Sequence, residues 1–183
     1  MRLLLNLGFR VELLSNRFFF RRQIMHKRCA LLERVRLPVY FETDVFRKTV
    51  SDAIDLIGQK DQDTCNDIVR HLRAFVEVSP NTHISNPINM GFSTGVYYAR
   101  LFSLESSDLA VKSIACSIVQ FVTSYRLIVK TKLRCPERYG HDLMRKIKRL
   151  AIQRMHRFTI VAGFESRYSY EIECRLMNGA YDC

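Results

Sequence analysis

Residues 64–78, TCNDIVRHLRAFVEV, bring Cys65, Ile68, Val69, Leu72, Phe75 and Val76 round at a 3–4 spacing, the pattern of an amphipathic helix. Asp63 stands at the N-cap and Asp67 early in the helix, where the helix dipole favours a negative charge. Ser79-Pro80 ends the run, because the residue before proline avoids helical backbone. Working back along the chain, a polar turn from Gly58 to Asp63 separates this helix from one over Thr49–Gln59, which presents Val50, Ile54 and Ile57. Before it, residues 35–46, VRLPVYFETDVF, alternate as a strand, and Pro38 puts that strand at an edge or at its own start.

Working forward, residues 79–95 hold two of the four prolines and two of the seven glycines and read as loop. Val96–Leu104, Ile114–Thr123 and Arg126–Leu133 are rich in β-branched and aromatic residues and read as strands. A helix over 108–123 is the alternative, since Leu109, Ile114, Ile118 and Phe121 also suit helical spacing. His141–Arg157 reads as helix. Phe158–Ala162 and Tyr168–Leu176, with a turn at Gly163–Ser166, read as a closing hairpin. The fold class expected is α+β. It is a single core domain over 37–183, an antiparallel sheet packed with three or more helices, preceded by a basic amphipathic arm over 1–36.

Charge adds direction. The 183 residues carry 29 Lys and Arg against 18 Asp and Glu, a net +11. Residues 1–36 hold nine basic and two acidic residues, and residues 112–157 hold twelve and two. The stretches 37–111 and 158–183 are net acidic. Two basic blocks therefore bracket an acidic centre, and both favour anionic partners. In the first block, Leu3, Leu4, Leu7, Val11 and Leu14 suit a short amphipathic helix. Phe18–Phe20 then stand beside Arg17, Arg21, Arg22, Lys27 and Arg28, apolar bulk next to fixed charge, which suits an anionic membrane surface. The same Arg-rich, acid-poor start also suits a mitochondrial presequence.

In the second block, Leu143, Met144, Ile147, Leu150, Ala151 and Met155 fall on one helical arc. Arg145, Lys146, Lys148, Arg149 and Arg157 fall opposite, joined by His156. Such a helix suits phosphates, whether of nucleic acid or of lipid, and Arg145–Arg149 also fits a nuclear-import run. Phe121, Tyr125 and Tyr139 lie among further basic residues, as in stacking platforms for bases.

Chemistry is excluded on pattern. No apolar run is long enough for a transmembrane helix or a secretory signal, and the six cysteines are expected to be reduced thiols. Their spacing fits no zinc motif, and there is no phosphate loop, nucleophile elbow or metalloprotease motif. Neither a cofactor nor an enzyme activity is expected. Pro87-Ile88-Asn89-Met90-Gly91-Phe92-Ser93-Thr94-Gly95, followed by an aromatic-rich strand, resembles a segment of the matrix proteins of rhabdoviruses. The resemblance implies a structural protein that bridges ribonucleoprotein and the inner face of the viral envelope and self-associates. It implies a place in the virion and host cell, to which the Arg145–Arg149 run adds the nucleus. The alternative is a basic RNA-binding protein, such as a mitochondrial ribosomal or RNA-processing component.

Overall fold

Thr43 begins the first long helix. Its hydroxyl accepts the Phe46 N–H at 3.2 Å, closing the N-terminus of α2 (Asp44–Lys60). The computed structural model describes residues 18–78, 94–99, 107–130 and 141–164. Within them the order is α1 (residues 18–24), β1 (Arg28–Leu32), β2 (Leu37–Phe41), α2, α3 (Gln62–His71), β3 (Ala74–Glu77) and β4 (Val96–Ala99). Then come α4 (Asp108–Lys130) and α5 (His141–Val161). The class is α+β in a single domain. The sheet, in the order β1-β2-β3-β4, is mixed rather than antiparallel throughout. β1 and β2 form an antiparallel hairpin, while β2–β3 and β3–β4 run parallel. The parallel β2–β3 pair needs a crossover, and α2 and α3 supply it.

The sheet is covered on both faces by alternation along its strands. Val39, Phe41, Phe75, Tyr97 and Ala99 point into the main core with α2, α3, α4 and α5. Tyr40, Ala74, Val76, Val78, Val96 and Tyr98 point the other way, where Phe20 and Ile24 of α1 pack on them. Phe19 meets Tyr98 edge to face at 6.4 Å and Phe20 meets Tyr40 at 5.9 Å. α5 packs on α4, through Met155 and Phe158 in the main core and Ile147 against Ile128. The sheet thus separates α1 from α5.

Several expectations are corrected. The helix expected over 64–78 ends at His71, and Phe75 and Val76 lie in β3. Its N-cap is Asp61, whose carboxylate accepts the Thr64 N–H at 3.1 Å, and Asp63 sits in the first turn. Of the expected strands over 114–123 and 126–133, residues 114–130 belong to one helix, α4, in line with the alternative over 108–123; it buries Ile114, Ile118, Val119, Phe121, Val122 and Ile128, and residues 131–133 lie outside the described residues. The strand expected over 158–162 is the end of α5. That helix stops in a Schellman turn, in which Phe164 N–H donates to Thr159 O at 3.0 Å and Gly163 N–H to Ile160 O at 3.1 Å. Gly163 takes φ +69°, the left-handed backbone this stop requires. The sheet also begins inside the stretch read as an arm, since residues 28–36 are β1 and its turn to β2. The strand read over 35–46 is β2 alone. The helix read over 2–14, residues 87–93 of the resemblance segment 87–95 and the strand over 168–176 lie outside the described residues.

Candidate functional site

Many of the cations are engaged inside the fold. Lys27 pairs with Glu42 and keeps its side chain almost wholly covered. Arg28 donates to Asp44 at 3.1 Å and to Glu42 O at 3.0 Å, and its guanidinium lies 4.7 Å above the Phe41 ring. All of these groups meet at the start of α2. The same corner is fixed from below by Glu77, buried on β3. Its carboxylate accepts the Glu42 N–H at 2.6 Å, the Thr43 N–H at 2.9 Å and the Thr43 hydroxyl at 2.8 Å. Lys27 and Arg28 therefore hold the N-terminal corner together before they meet any external anion.

Two further arginines tie helices. Arg154 of α5 reaches the Asp61 carboxylate at 2.6 Å, so the cap of α3 is also the anchor of α5. Thr64 adds its hydroxyl to the same carboxylate at 2.8 Å. Arg126 of α4 meets Asp67 of α3 at 2.7 Å. Close by, Gly95 takes φ +72°, and a Cβ there would come within 3.1 Å of both His71 O and Tyr125 Oη. His71 is pulled below its ordinary pKa, first by burial, with Asp67 opposing and Arg126 assisting. None of Asp61, Arg126, Arg154 and Glu77 stood out as a site residue in the sequence. The only local signal was Asp61 before an apolar periodicity.

Exposed cations without an ion pair among the described residues are spread over the surface, Arg36, Lys48, Lys60, Arg70, Arg73 and Lys130 among them, and two sets fall on the helices that the sequence singles out. On α1, Arg21 and Arg22 are exposed and make no ion pair among the described residues. They stand beside Phe18 and Met25, which are 70% and 69% exposed. On α5, Lys146, Arg149 and Arg157 are exposed and likewise make no ion pair among the described residues. Arg145 is exposed too and lies 3.9 Å from Asp142. At about 100° per residue these four occupy one outer arc, and from Arg145 to Arg157 they extend about 18 Å along the helix. Lys148 is corrected: it is partly buried on the flank, next to the packed face rather than opposite it. Leu150, read as core, is 40% exposed at the rim. Arg17 lies outside the described residues. The two outward sets are not brought together: α1 lies on one face of the sheet and α5 on the helical side of the other.

The buried titratable groups are part of the core. Burial pushes the Cys116 thiol up to about 12, which keeps it a protonated, unreactive filler. Burial raises Tyr97 and Tyr98 to about 12 as well. Cys29, Cys65 and Cys116 are free thiols. Among the described residues, no three His, Cys, Asp or Glu side chains converge as a metal site. Among the same residues, no helix is long and apolar enough to cross a membrane. The chain matches no family model, and no curated protein or solved structure is detectably similar to it.

Proposed function

We propose that this is a non-enzymatic structural protein of the viral-matrix type, which holds a ribonucleoprotein against an anionic membrane and self-associates. The observation that carries this reading is that α1 and α5 each carry a set of outward cations and lie on opposite sides of the sheet. α1 takes the membrane. Its Arg21 and Arg22 meet anionic headgroups while Phe18 and Met25 enter the boundary with the acyl chains. α5 takes the ribonucleoprotein. Its arc of Arg145, Lys146, Arg149 and Arg157 displaces counterions from the phosphate backbone. The mechanism is charge neutralisation on two sides of a rigid core, so both attachments weaken as salt rises.

The test uses the full chain, vesicles containing phosphatidylserine and a labelled single-stranded RNA. Arg21→Glu with Arg22→Glu should abolish vesicle flotation and leave RNA binding intact. Arg145→Glu, Lys146→Glu, Arg149→Glu and Arg157→Glu together should do the reverse. Retention of RNA binding alone, with no vesicle binding by the unaltered chain, would replace this reading with that of an RNA-binding protein.

A further inference from the structure

We propose that the outer edge of β1 is a homodimer interface. Two copies pair β1 antiparallel to β1 about a twofold axis at Ala30, joining two four-stranded sheets into one of eight strands. The inference deepens the self-association in the proposed function and is independent of anion binding.

β1 is one edge of the sheet, and no described residue pairs with its outer side. The opposite edge, β4, is buried at all four residues, whereas β1 exposes Arg28, Cys29 and Leu31, with Leu31 69% exposed. The hairpin register tells which backbone groups are unmet. Leu31 stands opposite Pro38, which has no N–H, so that pair is of the non-hydrogen-bonded kind. Arg28, Ala30 and Leu32 therefore turn their peptide groups towards β2. The Leu32 carbonyl does so visibly, accepting Arg36 N–H across the turn at 2.8 Å. Cys29 and Leu31 turn theirs outward. An exposed edge of this kind is a template for another strand, and β1 lacks the usual protection, a charge at its centre.

The strand is self-complementary in one register. With the axis at Ala30, Cys29 faces the partner's Leu31 and Leu31 faces the partner's Cys29. Both pairs have outward-turned peptide groups, which gives four N–H to carbonyl bonds. Cys29 and Leu31 share one face of the sheet, so each exposed Leu31 is covered by a thiol and its neighbours. Position 33 comes opposite position 27. The exposed Glu33 then lies at the end of the other copy where Lys27 and Arg28 are already held by Glu42 and Asp44, so the match rests on the backbone bonds and the Cys29–Leu31 pairs. Moving the axis by one residue removes the match. Centred on Leu31, Arg28 would face the partner's Arg34. Centred on Cys29, the two Arg28 side chains would be diagonal neighbours about 7–8 Å apart.

The experiment is sedimentation equilibrium on the full chain, with two edge variants and one cross-link. Cys29→Pro removes an N–H that the monomer does not use, and Leu31→Lys places a charge at the centre of the edge. Each should raise the dimer dissociation constant at least tenfold, with circular dichroism and RNA binding unchanged. Leu31→Cys in a mixture of isotope-labelled and unlabelled chains should, on oxidation, give a disulfide from residue 29 to residue 31 between differently labelled chains. The expected pairing puts their Cα atoms about 5.5 Å apart, inside the range for a disulfide. A monomeric unaltered chain, a dimer indifferent to both edge variants, or links from residue 29 only within a chain or to residues 165–183 would overturn the proposal. Failure of the anion-binding tests with a β1-dependent dimer would overturn only the bridging function.

Discussion

The two basic regions look alike in composition and differ in employment. At the N-terminal corner, Lys27 and Arg28 are held by Glu42, Asp44 and the Phe41 ring. On α5, Lys146, Arg149 and Arg157 have no such partners among the described residues, while Arg154 turns inward to Asp61. A net charge of +11 therefore overstates what an external anion meets. What matters is the charge left after the fold has formed its own pairs, and α5 retains more of it than residues 21–28 do.

The largest effect belongs to the corner itself. Glu77→Ala should destabilise the fold by about 3 kcal/mol in urea denaturation, because it leaves two backbone N–H groups and a hydroxyl at the start of α2 without their charged acceptor. Glu77→Gln, which keeps one acceptor oxygen, should cost about half of that. Next in size is the contrast within α5. Arg154→Ala should cost about 2 kcal/mol by freeing the partly buried Asp61 carboxylate, with RNA affinity unchanged. Arg149→Ala should change stability by less than about 0.5 kcal/mol. It should instead make the salt slope of RNA binding shallower by about 0.7, the share of one neutralised phosphate on a single strand.

Smaller still is Arg28→Ala, about 1 kcal/mol or less, since its ion pair is half exposed and screened and its stacking on Phe41 is the more durable part. The smallest effect is in pH. The folded state lowers the His71 pKa, so it prefers the neutral ring and binds fewer protons than the unfolded chain below about pH 6.5. Melting temperature should be level above that pH and fall on acidification through it. His71→Gln should flatten the fall between pH 7 and 5.5.

The amphipathic helices were legible because one face of each is buried and one is wet. Val50, Ile54 and Ile57 of α2 and Ile147, Ala151 and Met155 of α5 were read correctly as core. α4 was legible as a helix only as the alternative over 108–123, behind the strand reading. Its burial runs through Val119, Phe121, Val122, Thr123 and Ser124 in near succession, so little helical period remains and its β-branched content argues for strand. β3 failed in the opposite sense. All four of its residues are buried, so no alternation exists, and Phe75 and Val76 happen to continue the period of α3. Phe158 and Thr159 looked like strand, yet they extend the buried face of α5 to its Schellman stop. The outward cations of α5 were visible in sequence. The inward ones were not, because Arg126–Asp67 and Arg154–Asp61 join residues 59 and 93 positions apart, and only tertiary packing creates those pairs.

The Glu77 carboxylate has a consequence for the order in which the chain assembles. Thr43 and the start of α2 are synthesised more than thirty residues before the group that completes their hydrogen bonding. Until β3 docks beside β2, the entrance to α2 has its Thr43 cap and the Lys27–Glu42 and Arg28–Asp44 pairs, but the Glu42 and Thr43 N–H groups lack their buried carboxylate acceptor. Closing the parallel β2–β3 pair and locking that corner are then one event, since the strand that extends the sheet also delivers the carboxylate. A chain interrupted before residue 77 would contain both partners of the β1–β2 hairpin and all of α2, and still lack the clasp that makes them a cooperative unit.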